Sequence, residues 1–411
     1  MNINRKVGSG SIWFCGAGNS ARSRFSAGSG RLKGGCGQDW PPSKFKLTHH
    51  RKVCTAAAAL LAACVAAATA SAQNFMDYQY GNSAGAVSQV SVANLKPNWA
   101  VTGVRNSQGS AELITWESTG NALVRKGSAT GPTIANAKMA TVALSPNLVV
   151  TAAIGTEGFV ALYSWSVSSS GAVTLANAAG GLSARSVSIA NVGNNVVVTA
   201  NVTSDGTLDL QTWLVTSSGI VWESTGASGV SVTNTAIAAA GNNQAVTASR
   251  TEAGDLQLDS WVVDPNGNVS DVSTASAGPI SQLDITAWAD GHVATPVRNS
   301  AGDLELIDWV VYPITGAIGR DSSATVGAVS QVAASTIGPL VFTASLNSSG
   351  KVDAGVWGYG SSQITEGASA QEEAGTAIAA APLSTGPYSI TASRTKAGNL
   401  QVDVWYGNYM P

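Results

Sequence analysis

Residues 250–261 read RTEAGDLQLDSW. A polar turn around Gly254 leads into side chains that alternate between apolar and polar and end on Trp261, the pattern of a hairpin arm with one buried face. Nearly the same words return at 298–309 as RNSAGDLELIDW and at 394–405 as RTKAGNLQVDVW. Working outward from these three, tryptophans stand at 116, 165, 213, 261, 309, 357 and 405, spaced by 48 residues except for a first interval of 49. Seven positions before each lies a glycine: Gly109, Gly158, Gly206, Gly254, Gly302, Gly350 and Gly398. Fourteen before each lies a threonine: Thr102, Thr151, Thr199, Thr247, Thr295, Thr343 and Thr391. A period of this length marks a chain built from repeated units.

Each unit reads as four short strands. In the third they are SVSIANV, NVVVTANVT, LDLQTWLV and IVWESTG, separated by Gly, Asn, Asp and Ser. Val, Ile, Thr and Trp fill the strands, and amphipathic stretches of helical length are missing. The repeated glycine falls where a tight hairpin between second and third strands needs positive φ, which costs glycine nothing. Four-stranded units of this size, repeated seven times over residues 73–411, resemble the blades of a β-propeller. The resemblance is architectural, because the Gly-His and Trp-Asp signature of WD40 repeats and the Gly-Gly pair of kelch are both missing. It implies an all-β fold of seven four-stranded antiparallel blades. The last unit stops after its third strand at VDVWYGNYMP, whereas NFMDYQYGNSAGAVSQV (74–90) matches SSATVGAVSQV (322–332) at its end. The N-terminal strand of the mature chain is therefore expected to complete the seventh blade and to remove a free sheet edge.

Composition divides the chain. Of its 22 basic and 24 acidic residues, ten Lys or Arg and one acid, Asp39, lie before residue 53. The remainder is clearly acidic, which disfavours a nucleic-acid partner or an anionic membrane surface. The junction reads as an export signal over residues 51–72: a basic n-region HHRK, an apolar run VCTAAAALLAACVAAAT, and ASA before Gln73. A mostly alanine run of this length is a weak membrane span. LAAC, ending at Cys64, resembles a bacterial lipoprotein box, so the product is expected to be secreted or periplasmic, with lipid anchoring at Cys64 as the alternative. Residues 1–50 read as a disordered extension or as a start site placed too far upstream. All four cysteines (Cys15, Cys36, Cys54, Cys64) precede Gln73, which leaves the remainder without a disulfide framework or a thiolate metal site.

The seven identical tryptophans read as packing between sheets, with a set of lectin-like sugar platforms as the alternative. Function is expected where units differ. His292, the one histidine after residue 50, opens a second strand in ADGHVATPV and reads as a surface or packed side chain. Arginines stand eleven before the tryptophan in four units, at Arg105, Arg250, Arg298 and Arg394, where they form either a solvated charged rim or a site for an anion. Connections from a fourth strand to the next first strand carry Gln89, Lys138, Arg185, Asn234, Gln282, Gln331 and the pair Glu372–Glu373, and Asp284 lies just inside a first strand. These are expected to face the axis, either as a polar lining or as oxygen ligands for a hard cation such as calcium. DPNGNVSD (264–271) has some flavour of a calcium loop but departs from the EF-hand pattern and reads as a turn.

Two functions stay open. One is a hydrolase that opens a small lactone or ester, with calcium held by Asn234, Gln282 and Asp284, Glu372 or Glu373 as base, and Gln331 and the four arginines as ligand-binding groups. Propeller lactonases of the gluconolactonase and paraoxonase groups imply only that general idea, since they have six blades and none of their motifs has a counterpart here. The other is a non-catalytic, monomeric module that binds carbohydrate or protein.

Overall fold

The repeated glycine sits where the backbone requires it. In the structure, a computed structural model that describes residues 75–408 apart from 242, 290, 314, 361, 362, 384 and 385, all seven glycines have positive φ, from 74° at Gly350 to 96° at Gly254. The extension, the signal segment and Cys64 lie outside the described residues. Each glycine turn joins two antiparallel strands, as between Gln244–Thr251 and Asp255–Val263. No helix occurs among the described residues, so none is long and apolar enough to cross a membrane. The fold is all-β and antiparallel.

Within each unit the third strand carries the tryptophan beside the second strand's threonine. All seven indole Nε1–H groups donate to the threonine Oγ1 fourteen residues earlier, at 2.8–3.2 Å. The rings are at most 1% exposed. This bond lets an indole be buried without leaving its one polar hydrogen unpaired. It also removes the lectin alternative for these residues, because a fully buried ring offers no face to a sugar. Opposite every tryptophan the pairing with the fourth strand slips by one residue, as at Thr212/Trp213 and Ser260/Trp261. The bulge adds local twist at the position of the largest side chain.

The four short strands read from sequence need one correction. The fourth strand of one unit and the first of the next are usually a single long run, such as Val173–Gly193, Gly219–Gly241 and Ile318–Ile337. Gln89, Arg185, Asn234 and Gln331 therefore lie on strands and not on connections. Two of these runs are broken. One break falls at residues 135–139, between Leu123–Thr133 and Ala140–Ser145, and the other at 284–285, between Val269–Leu283 and Thr286–Ala289.

The core is distributed between units. Seven apolar clusters occur among the described residues, and each combines residues of consecutive units. Trp213 packs with Val150 and Ala152 of the preceding unit. Trp116 packs with Ala392 and Leu400 of the last unit. Burying one indole in such a layer contributes about 4–6 kcal/mol before the entropic cost of ordering. The first and last described strands meet in the same way. Strand Phe75–Lys96 pairs along its first half with Asn399–Asn408, from Phe75 opposite Asn408 to Ala86 opposite Asn399, and along its second half with Trp99–Asn106. Val87 N–H donates to Gly398 O at 2.8 Å, the bond that also joins Ala184 to Gly158 and Val232 to Gly206.

Candidate functional site

The first strands of all seven units line one cavity of about 570 Å³. Counting from the residue that bonds to the preceding glycine turn, the position two further on is an amide in five units: Gln89, Asn136, Asn234, Gln282 and Gln331. Some of these amides bond one another or the next unit. Gln89 Nε2 donates to Asn136 Oδ1 at 3.2 Å, and Gln331 Nε2 donates to Thr376 O at 2.8 Å. No protein hydrogen bond of the Gln282 side chain occurs among the described residues.

Two positions deeper, the units carry Ser91, Lys138, Ser188, Ala236, Asp284, Ala333 and Ala379. Lys138 and Asp284 occupy the two breaks in the inner strands, where the backbone leaves its regular pairing. Lys138 reaches past the third unit and donates from Nζ to Thr235 O of the fourth at 2.8 Å. Ser188 Oγ donates to the same carbonyl, also at 2.8 Å. Asp284 Oδ2 accepts the Ala334 N–H at 2.8 Å. The two charges make no direct ion pair with each other. Burial pushes the Lys138 ammonium down from its ordinary pKa, and the Asp284 charge opposes that shift. Burial pushes the Asp284 carboxyl up, while Lys138 and then the Ala334 and Ile285 N–H groups pull it back.

The other candidates separate. Asn234, Gln282, Asp284, Gln331 and Arg394 share the cavity wall. Glu372 and Glu373 do not line it. They lie where strand Gln363–Pro382 slips register against Lys351 and Asp353, and their charges act on Asp403 and Tyr78. The four arginines hold neighbouring units together. Arg105 Nε donates to Ile134 O (3.0 Å), Arg250 Nε to Ile280 O (2.7 Å), Arg298 Nε to Val329 O (2.6 Å) and Arg394 Nε to Val87 O (2.7 Å). Each Nη1 adds a hydroxyl from the adjoining first strand: Ser88, Thr233, Ser281 or Thr376. These bonds account for the recurring guanidinium without an external anion. Asp264 closes the DPNG turn on the Asn266 and Asn268 N–H groups at 2.8 and 2.9 Å, as an ordinary Asx turn does.

As a calcium donor set the cavity fits poorly. It offers one carboxylate, one of whose oxygens already takes a backbone N–H, and the nearby cation is the Lys138 ammonium. No group of three His, Cys, Asp or Glu suited to a metal occurs among the described residues.

Sequence reasoning missed a second polar cluster, which ties the fifth unit to the sixth. His292 does open its strand, His292–Asn299, as expected. Its Nδ1 lies 2.9 Å from Oδ2 of the fully buried Asp308. Trp288 Nε1 donates to Asp308 Oδ1 at 2.8 Å, and Tyr359 Oη bonds both Asp308 and Asp321, the latter at 2.6 Å. Burial, then the two carboxylates, drives the Tyr359 pKa up, so the phenol stays neutral. His292 and Asp308 were within reach of the repeat, since strands His292–Asn299 and Asp303–Val311 pair. Tyr359 comes from another unit and left no local signal.

No family model matches the chain, and no curated protein matches it. Among solved structures, 835 chains match. One is the crystal structure of a protein from Lactobacillus plantarum, a Northeast Structural Genomics Consortium target. It has 13% sequence identity, a TM-score of 0.49, and coverage of 69% of this chain and 87% of that one. The all-β, antiparallel architecture is itself consistent with a β-propeller.

Proposed function

We propose that the chain is an exported, closed seven-bladed β-propeller that binds a small polar molecule in its axial cavity. The observation that carries this reading is the cavity itself, lined by the first strands of all seven units, with an amide level above a level holding one ammonium and one carboxylate. Closure is supported by the Val87–Gly398 bond and by the cluster that Trp116 shares with the last unit. Export is supported by the signal-like segment ending before Gln73. A binding role is favoured over lactone or ester hydrolysis because the expected base, Glu372 or Glu373, is away from the cavity and the donor set suits calcium poorly.

The test is a thermal-shift screen of small polar metabolites against the wild type and Ala377→Phe. Ala377 lines the cavity at the level where other units carry amides, so a phenyl ring there fills space the ligand needs. A ligand that raises Tm in the wild type and not in the variant is the expected result. A shift equal in both proteins places binding elsewhere and overturns the reading. N-terminal sequencing of the exported product checks the cleavage before Gln73.

A further inference from the structure

We infer that the cavity's ligand is a free α-amino acid, its carboxylate held by Lys138 and its ammonium by Asp284. The inference rests on the axial-cavity reading and assigns the ligand class to that site. Its starting point is a mismatch in the lining. A lysine and an aspartate line one cavity without touching, although direct contact would relieve much of the cost of their burial. Each is tethered to backbone of a third element instead. Lys138 is tied to Thr235 O and Asp284 to Ala334 N–H. The tethers hold the two charges apart and leave chemistry unused on both. Two of the three ammonium hydrogens have no partner among the described hydrogen bonds, and Asp284 keeps acceptor capacity beyond its bonds to the Ala334 and Ile285 N–H groups.

What completes such a pair is a molecule with the opposite charges in the opposite order. A carboxylate accepts from Lys138 and an ammonium donates to Asp284, each as a charge-assisted hydrogen bond. An α-amino acid carries both groups on one carbon and spans a gap wider than a direct ion pair. The backbone break at residues 135–139 points the same way, since it presents Lys138 where the inner strands of five other units run unbroken. The break at 284–285 lies opposite Pro296, which has no N–H to give to the ladder, and there Asp284 N–H still donates to Pro296 O at 3.1 Å. The amide level is then left for the ligand's side chain. Gln282 has a donor and an acceptor free there, and Gln89 and Asn234 flank the same space. A neutral polyol uses the amides but leaves both charges unmatched. A simple anion satisfies Lys138 and is repelled by Asp284.

The experiment is calorimetry and thermal shift on the full chain with each standard L-amino acid. The tightest is then compared with its two analogues that lack the α-amino or the α-carboxyl group. Expected are binding by at least one amino acid and a loss of tenfold or more for each analogue. Lys138→Met is expected to bring the amino acid down to the level of the analogue without its carboxylate, and Asp284→Asn to the level of the one without its ammonium. The wild-type comparison decides the matter even if a variant fails to fold. Binding of an analogue as tightly as its parent overturns the assignment, as does the absence of binding by every amino acid at millimolar concentration. If a polyol or another polar molecule binds in the same assay and is excluded by Ala377→Phe, the axial-cavity reading stands while the amino-acid assignment falls.

Discussion

Asp403 makes folding stability depend on pH with a sign opposite to that of a salt-bridged carboxylate. It is 4% exposed, lies opposite Gly81 of the N-terminal strand, and accepts from Gln401 Nε2 at 2.6 Å. Burial, reinforced by Glu372 and Glu373 and opposed by the Gln401 bond, moves its pKa from 3.8 to about 7. Below pH 3.8 the group is protonated whether the chain is folded or unfolded, and its contribution to stability is complete. As the pH rises through 3.8 toward 7 the unfolded chain loses the proton first, so stability is progressively lost, and above 7 the penalty is constant. A shift of roughly three units corresponds to about 4 kcal/mol at full development. Asp403→Asn keeps an oxygen for Gln401 and removes the charge. It is expected to be near neutral at about pH 4 and to stabilise by about 2–4 kcal/mol at about pH 8, with part of the gain lost because a neutral acceptor bonds more weakly. Equilibrium urea unfolding of both proteins at several pH values measures the difference, and subtraction cancels the other carboxylates. A difference that stays constant with pH, or a variant less stable than the wild type at pH 8, refutes the reasoning.

Three further outcomes follow from the geometry. Thr247→Val leaves the buried Trp261 Nε1–H without its acceptor and should cost about 1–3 kcal/mol in the same unfolding assay. Arg394→Met removes the Nε bond to Val87 O and the Nη1 bond to Thr376, and is expected to destabilise by about 1–3 kcal/mol. Hydrogen exchange should then accelerate first in residues 75–87, and uniform acceleration would show that the arginine does not fasten the first described strand to the last unit. Calcium added to the wild type should leave Tm unchanged, because the cavity offers a single carboxylate and shares its wall with the Lys138 ammonium. A saturable rise in Tm would show that oxygen ligands outweigh the ammonium.

Much of the architecture was legible from intervals alone. The glycine demands positive φ, and the threonine and tryptophan fourteen residues apart become cross-strand partners in every unit. Such relations are local in a repeat, since two strands and a tight turn set them. The GAVSQV echo likewise led to the expectation that the segment before it pairs with the last strand, and residues 75–86 do pair with 399–408. The candidate site was legible only in part. Asn234, Gln282, Gln331 and Asp284 were expected near the axis and do line the cavity, but Lys138 was grouped with them without any sign of what it faces. Glu372 and Glu373 shared their neighbourhood in sequence and fall outside the cavity, because they precede Gly375, which bonds the Gly350 turn, whereas the lining of this unit runs from Thr376 to Ala380. The arginines read as either a solvated charged rim or an anion site, and their Nε atoms instead donate to the next unit's carbonyls.

The chain's periodicity by itself thus determined the all-β class and the tight glycine turns, which depend on contacts within one repeat, but not the joining of fourth and first strands into long runs. Only the tertiary structure decided which groups meet across units: Lys138 with the Thr235 carbonyl, Asp284 with the Ala334 N–H, and Asp308 with the Tyr359 hydroxyl. The partners in these pairs are 50 residues or more apart in sequence. No local pattern encodes such meetings, because side-chain facing changes with every bulge and break, and a shift of one residue turns a side chain from the cavity to the opposite face.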